Sequence, residues 1–97
     1  MTLADLQTEK QFQAAVRQYA AALGWHVYCV WNSRHSPKGW PDLTLIRPPR
    51  LVFAELKSAR GKPTPEQSFT LDLLQAAGAE AYLWRPADWP EIEAVLR

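Results

Sequence analysis

Ninety-seven residues suffice for one domain with a modest core, and 47% hydrophobic content with five tryptophans points to a globular chain. A single cysteine, Cys29, excludes an internal disulfide and any cysteine-based zinc or iron–sulfur centre, which fits an intracellular, reducing location. The net charge of +1 hides an asymmetry: residues 32–62 hold seven Lys or Arg against two acids, the remainder four against eight, so a phosphate backbone is the natural partner of the basic centre.

No stretch approaches the roughly 18 to 20 apolar residues of a membrane span. The opening MTLADLQTEK lacks the basic and apolar regions of a signal peptide, so a cytoplasmic protein without membrane association is expected. Residues 2–7 read as a loosely specified lead-in. Thr8 with Gln11 forms a capping box that predicts a helix from about Glu9 to Leu23, with Phe12, Ala15, Val16, Tyr19, Ala20 and Leu23 at helical spacing and Gly24 as the stop. Glu9 falls at the N-terminal end of the apolar face, where an acid is either a surface residue favoured by the helix dipole or an inward-pointing ligand.

His26 to Trp31 is rich in β-branched and aromatic residues and predicts a first strand. A polar loop follows, NSRHSPKGWP, carrying Arg34, His35 and Lys38. Leu43 to Ile46 and Leu51 to Leu56 predict two more strands, joined by the tight connection Arg47-Pro48-Pro49-Arg50 and hence antiparallel neighbours. Leu51 to Leu56 is apolar on both faces, the pattern of a central strand covered on both sides.

Ser58 to Pro63 is a basic loop, and Thr64-Pro65-Glu66-Gln67 is a second capping box with proline at the first helical position. That helix is predicted to run to about Ala77 through Phe69, Leu73 and Leu74, with Gly78 ending it. Glu80 to Trp84 predicts a fourth strand, and Asp88-Trp89-Pro90-Glu91 caps a final helix to Arg97. The order αβββαβα, without repeat or linker, predicts one α/β domain over residues 1–97, a mixed four-stranded sheet with helices packed on it.

Within this order the chemistry gathers between Gly39 and Gln67. Asp42 opens the second strand; Glu55 and Lys57 stand two apart near the end of the third and so share a face. An antiparallel pairing brings Asp42 near Glu55, so two carboxylates and an ammonium converge at one end of the sheet. An acid after Leu51-Val52-Phe53-Ala54 is costly unless used or paired. Phosphodiester hydrolysis needs charge neutralisation, a water of lowered pKa and a group to orient it. Carboxylates holding Mg²⁺ supply the first two and a neighbouring lysine can supply the third. The bland alternative is a turn aspartate with a solvated strand pair.

The set Gly39-x-Pro41-Asp42, Glu55-x-Lys57 and Thr64-Pro65-x-Gln67 resembles the signature of the VRR-NUC domain, the virus-type replication-repair nucleases of the PD-(D/E)xK superfamily. The likeness extends over nearly the whole chain, since that superfamily's restriction-endonuclease-like αβββαβ core matches the predicted order, with a C-terminal helix added. The resemblance implies that Asp42 and Glu55 bind Mg²⁺ or Mn²⁺ with the Leu56 carbonyl as a further ligand, and that Lys57 positions or activates the attacking water. It further implies that Gln67 supports the site, in competition with its capping role, and that Glu9 matches the family's acid on the first helix.

Arg34, Lys38, Arg60 and Lys62 flank the site as candidate phosphate contacts, and His35 is a candidate bystander or neighbour of the scissile phosphate. Trp40 either stacks on a base or wedges the loop; the other tryptophans read as core or interface. The function expected is a divalent-metal-dependent DNA endonuclease, and the resemblance suggests branched or structured DNA, such as a four-way junction or flap in replication, repair or recombination. The alternatives are a non-catalytic DNA-binding subunit on a nuclease-like fold and a sequence-specific restriction-type nuclease. A homodimer is expected from the small surface, the Phe12, Val16 and Tyr19 stripe that must be buried, and the two-fold dimers of similar small nucleases.

Overall fold

A computed structural model describes residues 7–30 and 38–97. Its elements follow the predicted order: α1 (Glu9–Ala22), β1 (His26–Cys29), β2 (Leu43–Arg47), β3 (Arg50–Leu56), α2 (Pro65–Ala76), β4 (Glu80–Trp84), a 3₁₀ turn (Pro86–Asp88) and α3 (Trp89–Leu96). The sheet is mixed, in the order β1-β2-β3-β4, with β1 and β3 antiparallel to β2 and β4 parallel to β3. Among the described residues no helix is long and apolar enough to cross a membrane.

Local chemistry explains the helix ends. Thr8 Oγ1 accepts from the Gln11 N–H while Gln11 Oε1 accepts from the Thr8 N–H, so two otherwise unpaired donors are satisfied. Beyond Ala22 the chain turns through Gly24, whose φ of 88° a side chain rarely adopts. The β1 strand is shorter than His26 to Trp31 suggests, and Trp31 lies outside the described residues.

Strand alternation gives the sheet two distinct faces. Val27, Leu43, Leu45, Val52, Ala54 and Leu56 point to one, where Phe12, Val16 and Ala20 of α1 and Ile92 and Leu96 of α3 complete the main core. Phe53 and Ala81 point to the other, under Leu71 and Leu74 of α2. The Phe12, Val16 and Tyr19 stripe needs no second molecule: Phe12 and Val16 are buried in the main core, and the Tyr19 ring lies 5.5 Å from that of Trp89.

Three expectations change. Of the apolar positions Phe69, Leu73 and Leu74 expected along α2, only Leu74 packs inward, beside Leu71, because the packing edge is turned toward β4; Phe69 is 64% exposed and Leu73 54%. Although β3 is central and buried from Val52 to Leu56, its Leu51 end is exposed. Asp88 does not cap α3 with its side chain, but accepts instead from the Arg85 N–H at 2.8 Å, closing the 3₁₀ turn that intervenes before the helix.

Candidate active site

The β2–β3 register pairs Leu43 with Ala54, so the next position along sets Asp42 opposite Glu55. Both side chains lie on the α2 face, and α2 opens above them. Glu55 is 1% exposed, the buried charged residue of the described chain. Asp42 is oriented by the Leu56 N–H, which donates to its Oδ2 at 2.9 Å. The Lys57 ammonium, largely buried, lies 3.9 Å from Glu55 Oε1 and 4.0 Å from Glu9 Oε1. Glu9 therefore stands at the rim, reached through Lys57, and is itself half exposed.

Gln67 resolves a competition that the sequence poses. Its Oε1 accepts from the Thr64 N–H at 2.8 Å, completing the α2 capping box, while its Nε2 donates to Glu55 Oε1 at 3.2 Å. One amide carries an acceptor and a donor, so the two roles coexist rather than compete.

The electrostatics are those of two acids in one site. Burial is the largest cause pushing the Glu55 carboxyl up to about 9, followed by the hydrogen bond and charge of Asp42; Lys57 opposes the shift. Glu55 Oε2 is buried and receives no donor from the protein. A shared proton or a cation is what such an oxygen lacks. Among the described residues no third acid, histidine or cysteine joins the pair into a cluster of three. Two carboxylates and a main-chain carbonyl nevertheless suit Mg²⁺, which keeps several waters and takes few protein ligands.

Gly39 explains why the Pro-Asp corner needs a glycine two residues earlier. A Cβ there would stand 2.5 Å from the Glu66 carbonyl oxygen, and φ is +87°. The corner thus packs backbone to backbone against the first turn of α2, the turn that carries Gln67.

Fold and geometry together match a known structure: a solved "VRR_NUC domain" aligns with TM-score 0.67 and 29% identity, over 79% of this chain and 84% of that one. The chain has a VRR-NUC-like fold. Its fold is therefore of nuclease type. No family model and no curated protein matches it.

The cations that flank the site divide. Lys38, Arg60 and Lys62 are exposed; Arg34, with His35, lies outside the described residues. Arg47 and Arg50, counted in the basic centre, sit at the opposite end of the β2–β3 hairpin. There Arg47 donates to the Leu23, Leu96 and Arg97 carbonyls, and Arg50 pairs with Glu80 at 2.6 Å and donates to the Val95 carbonyl. Both guanidinium groups lie over the Trp25 ring, so neither is placed to meet a phosphate at the site. Arg85 went unnoticed in the sequence: its Nη1 donates to the Ser58 and Gly61 carbonyls, fastening the loop that bears Arg60 and Lys62. No local pattern marks it, because both acceptors are more than twenty residues away.

Proposed function

We propose that this VRR-NUC-like domain is a divalent-metal-dependent DNA endonuclease, a single-domain phosphodiester hydrolase acting on branched or structured DNA. The observation that carries the reading is the buried Glu55 beside Asp42, with an oxygen that no protein donor satisfies. A buried acid with one oxygen left unsatisfied costs stability and persists most readily where a cation completes it.

In this reading Asp42, Glu55 and the Leu56 carbonyl hold Mg²⁺ or Mn²⁺. When bound, the ion supplies charge neutralisation at the phosphate and a water of lowered pKa. Gln67 fixes the rotamer of Glu55, and the Leu56 N–H that of Asp42. Lys57, held between Glu55 and Glu9, orients the attacking water and stabilises the charge that develops on the phosphate. Lys38, Arg60 and Lys62 take neighbouring phosphates.

The reading extends to a homodimer in an intracellular setting, in which two single-cut centres related by a two-fold axis act on opposite strands of a junction. Support for the dimer comes from the exposed Phe69 and Leu73, one turn apart on α2, rather than from the buried stripe of α1.

Incubating the purified protein with Mn²⁺ and a panel of linear, flapped and four-way DNAs tests the activity, with Asp42→Asn as the control expected to cut nothing. Cutting by Asp42→Asn at near wild-type rate in saturating metal would overturn the site; binding without any cutting would leave a DNA-binding subunit. Unbiased cutting of linear duplex removes the structural preference. Light scattering at about the 11.0 kDa of one chain, with and without DNA, removes the dimer.

A further inference from the structure

The sheet face that bears Asp42 and Glu55 is only half covered among the described residues. Tyr28 pairs with Thr44, Thr44 with Phe53 and Phe53 with Ala81, so these four form one row across that face. Thr44 is two residues after Asp42 and Phe53 two before Glu55, so the row lies one rung, roughly 6 to 7 Å, from the carboxylates. Leu71 and Leu74 of α2 cover the Phe53–Ala81 half. The other half keeps Tyr28 59% exposed, in a row whose neighbour Thr44 is half-buried.

Trp40 borders the same row. Its ring meets Phe53 nearly perpendicularly at 5.7 Å, which wedges it in place, yet it stays 40% exposed. With strands about 4.8 Å apart, Tyr28 and Phe53 stand roughly 10 Å from each other across the face. Lys38, two residues before Trp40, is exposed and has no carboxylate within ion-pairing distance among the described residues, although the exposed Glu66 packs its backbone on the neighbouring Gly39.

We infer that the uncovered half of this face is a stacking platform for the unpaired bases of a single-stranded DNA arm, with Tyr28 and Trp40 as the rings and Lys38 on the backbone phosphate. The inference rests on the nuclease reading for the polymer and deepens it by assigning the residues that hold an unpaired arm beside the cut. Bases in a duplex are already stacked and offer only their edges, whereas an unpaired base presents a π-face to an aromatic ring whatever its identity. Two exposed rings along one row of the face, continuous with the acidic pair and edged by a cation, fit that ligand. An acidic or purely apolar protein surface would leave either the rings or the lysine unused.

The test is fluorescence anisotropy with labelled dT12 and with a blunt 12-base-pair duplex, on the Glu55→Gln background in EDTA, where turnover plays no part. Tyr28→Ala and Trp40→Ala should each weaken dT12 binding by about 5- to 100-fold, Tyr28→Phe should retain it, and duplex affinity should change by no more than about twofold. Unchanged dT12 affinity in Tyr28→Ala overturns the platform, as does an equal loss on duplex. Conversion of a dimer to a monomer by Tyr28→Ala, seen by light scattering, would assign the face to a second copy instead. A fall in Tm with binding intact would assign the ring to the chain's own packing. A protein that cuts no DNA yet binds dT12 through Tyr28 keeps this inference and loses the nuclease reading; the reverse pattern does the opposite.

Discussion

Replacing Glu55 by glutamine should make the metal-free protein more stable, and the gain should depend on pH. The carboxyl is held neutral in the fold because its value is pushed up from 4.5 to about 9, chiefly by burial and secondly by Asp42. Between those values the unfolded chain ionises Glu55 while the folded chain keeps the proton, so the unfolded state binds fewer protons and stability falls as pH rises. Wild-type stability from this group is fully present below about pH 4.5 and is lost as pH approaches 9. At pH 7, about 2.5 pH units above the ordinary value, the loss is at most about 3 to 4 kcal/mol at roughly 1.4 kcal/mol per unit. A glutamine has no proton to lose, and its amide can accept from Gln67 and donate toward Asp42 as the protonated acid does. In a domain of this size the gain corresponds to a Tm higher by about 10 to 20 °C at pH 7, shrinking toward zero near pH 4.5. Thermal melts of both proteins in EDTA from pH 4.5 to 9 measure it. A Glu55→Gln protein no more stable than wild type at pH 7, or a difference that does not widen with pH, would refute the argument that Asp42 and burial hold Glu55 neutral. Adding Mn²⁺ should raise the wild-type Tm and leave that of the variant nearly unchanged.

Lys57→Met should retain DNA binding and lose most of the cleavage rate, because a residue that orients water acts mainly in the transition state; weakened binding with turnover preserved would make it a phosphate anchor. Gly39→Ala should destabilise the fold by about 2 to 4 kcal/mol in urea denaturation, since its Cβ would meet the Glu66 backbone at 2.5 Å where φ is +87°. A loss under about 0.5 kcal/mol would mean that the corner can move away from α2. DNA affinity should fall steeply with salt, and Arg60→Glu or Lys62→Glu should each reduce the log–log slope by about 1; an unchanged slope removes that side chain from the phosphate contacts.

What could be read from the sequence was whatever is settled within a few residues. Thr8 with Gln11 and Thr64 with Gln67 cap their helices three positions apart, and both boxes form. The Pro48-Pro49 connection leaves two residues for reversal, which brings Asp42 alongside Glu55 as the spacing requires. Of the motif residues, Asp42 and Glu55 meet through the β2–β3 register, whereas Gln67 reaches Glu55 only because α2 packs over that end of the sheet. Only the tertiary structure decided which neighbours these residues meet. Arg47 and Arg50 count as basic in any local sum, yet α3 returns its C-terminal carbonyls to them and removes them from the site. Arg85 reaches a loop 24 and 27 residues away. Phe69 and Leu73 look like an inward stripe until the packing of α2 on β4 turns them to solvent, and Tyr28 lies open because α2 covers only half of its face. Helical and strand periods say which side chains share a face. Which face is covered, and by what, depends on contacts between residues far apart in the chain, and no local pattern encodes those.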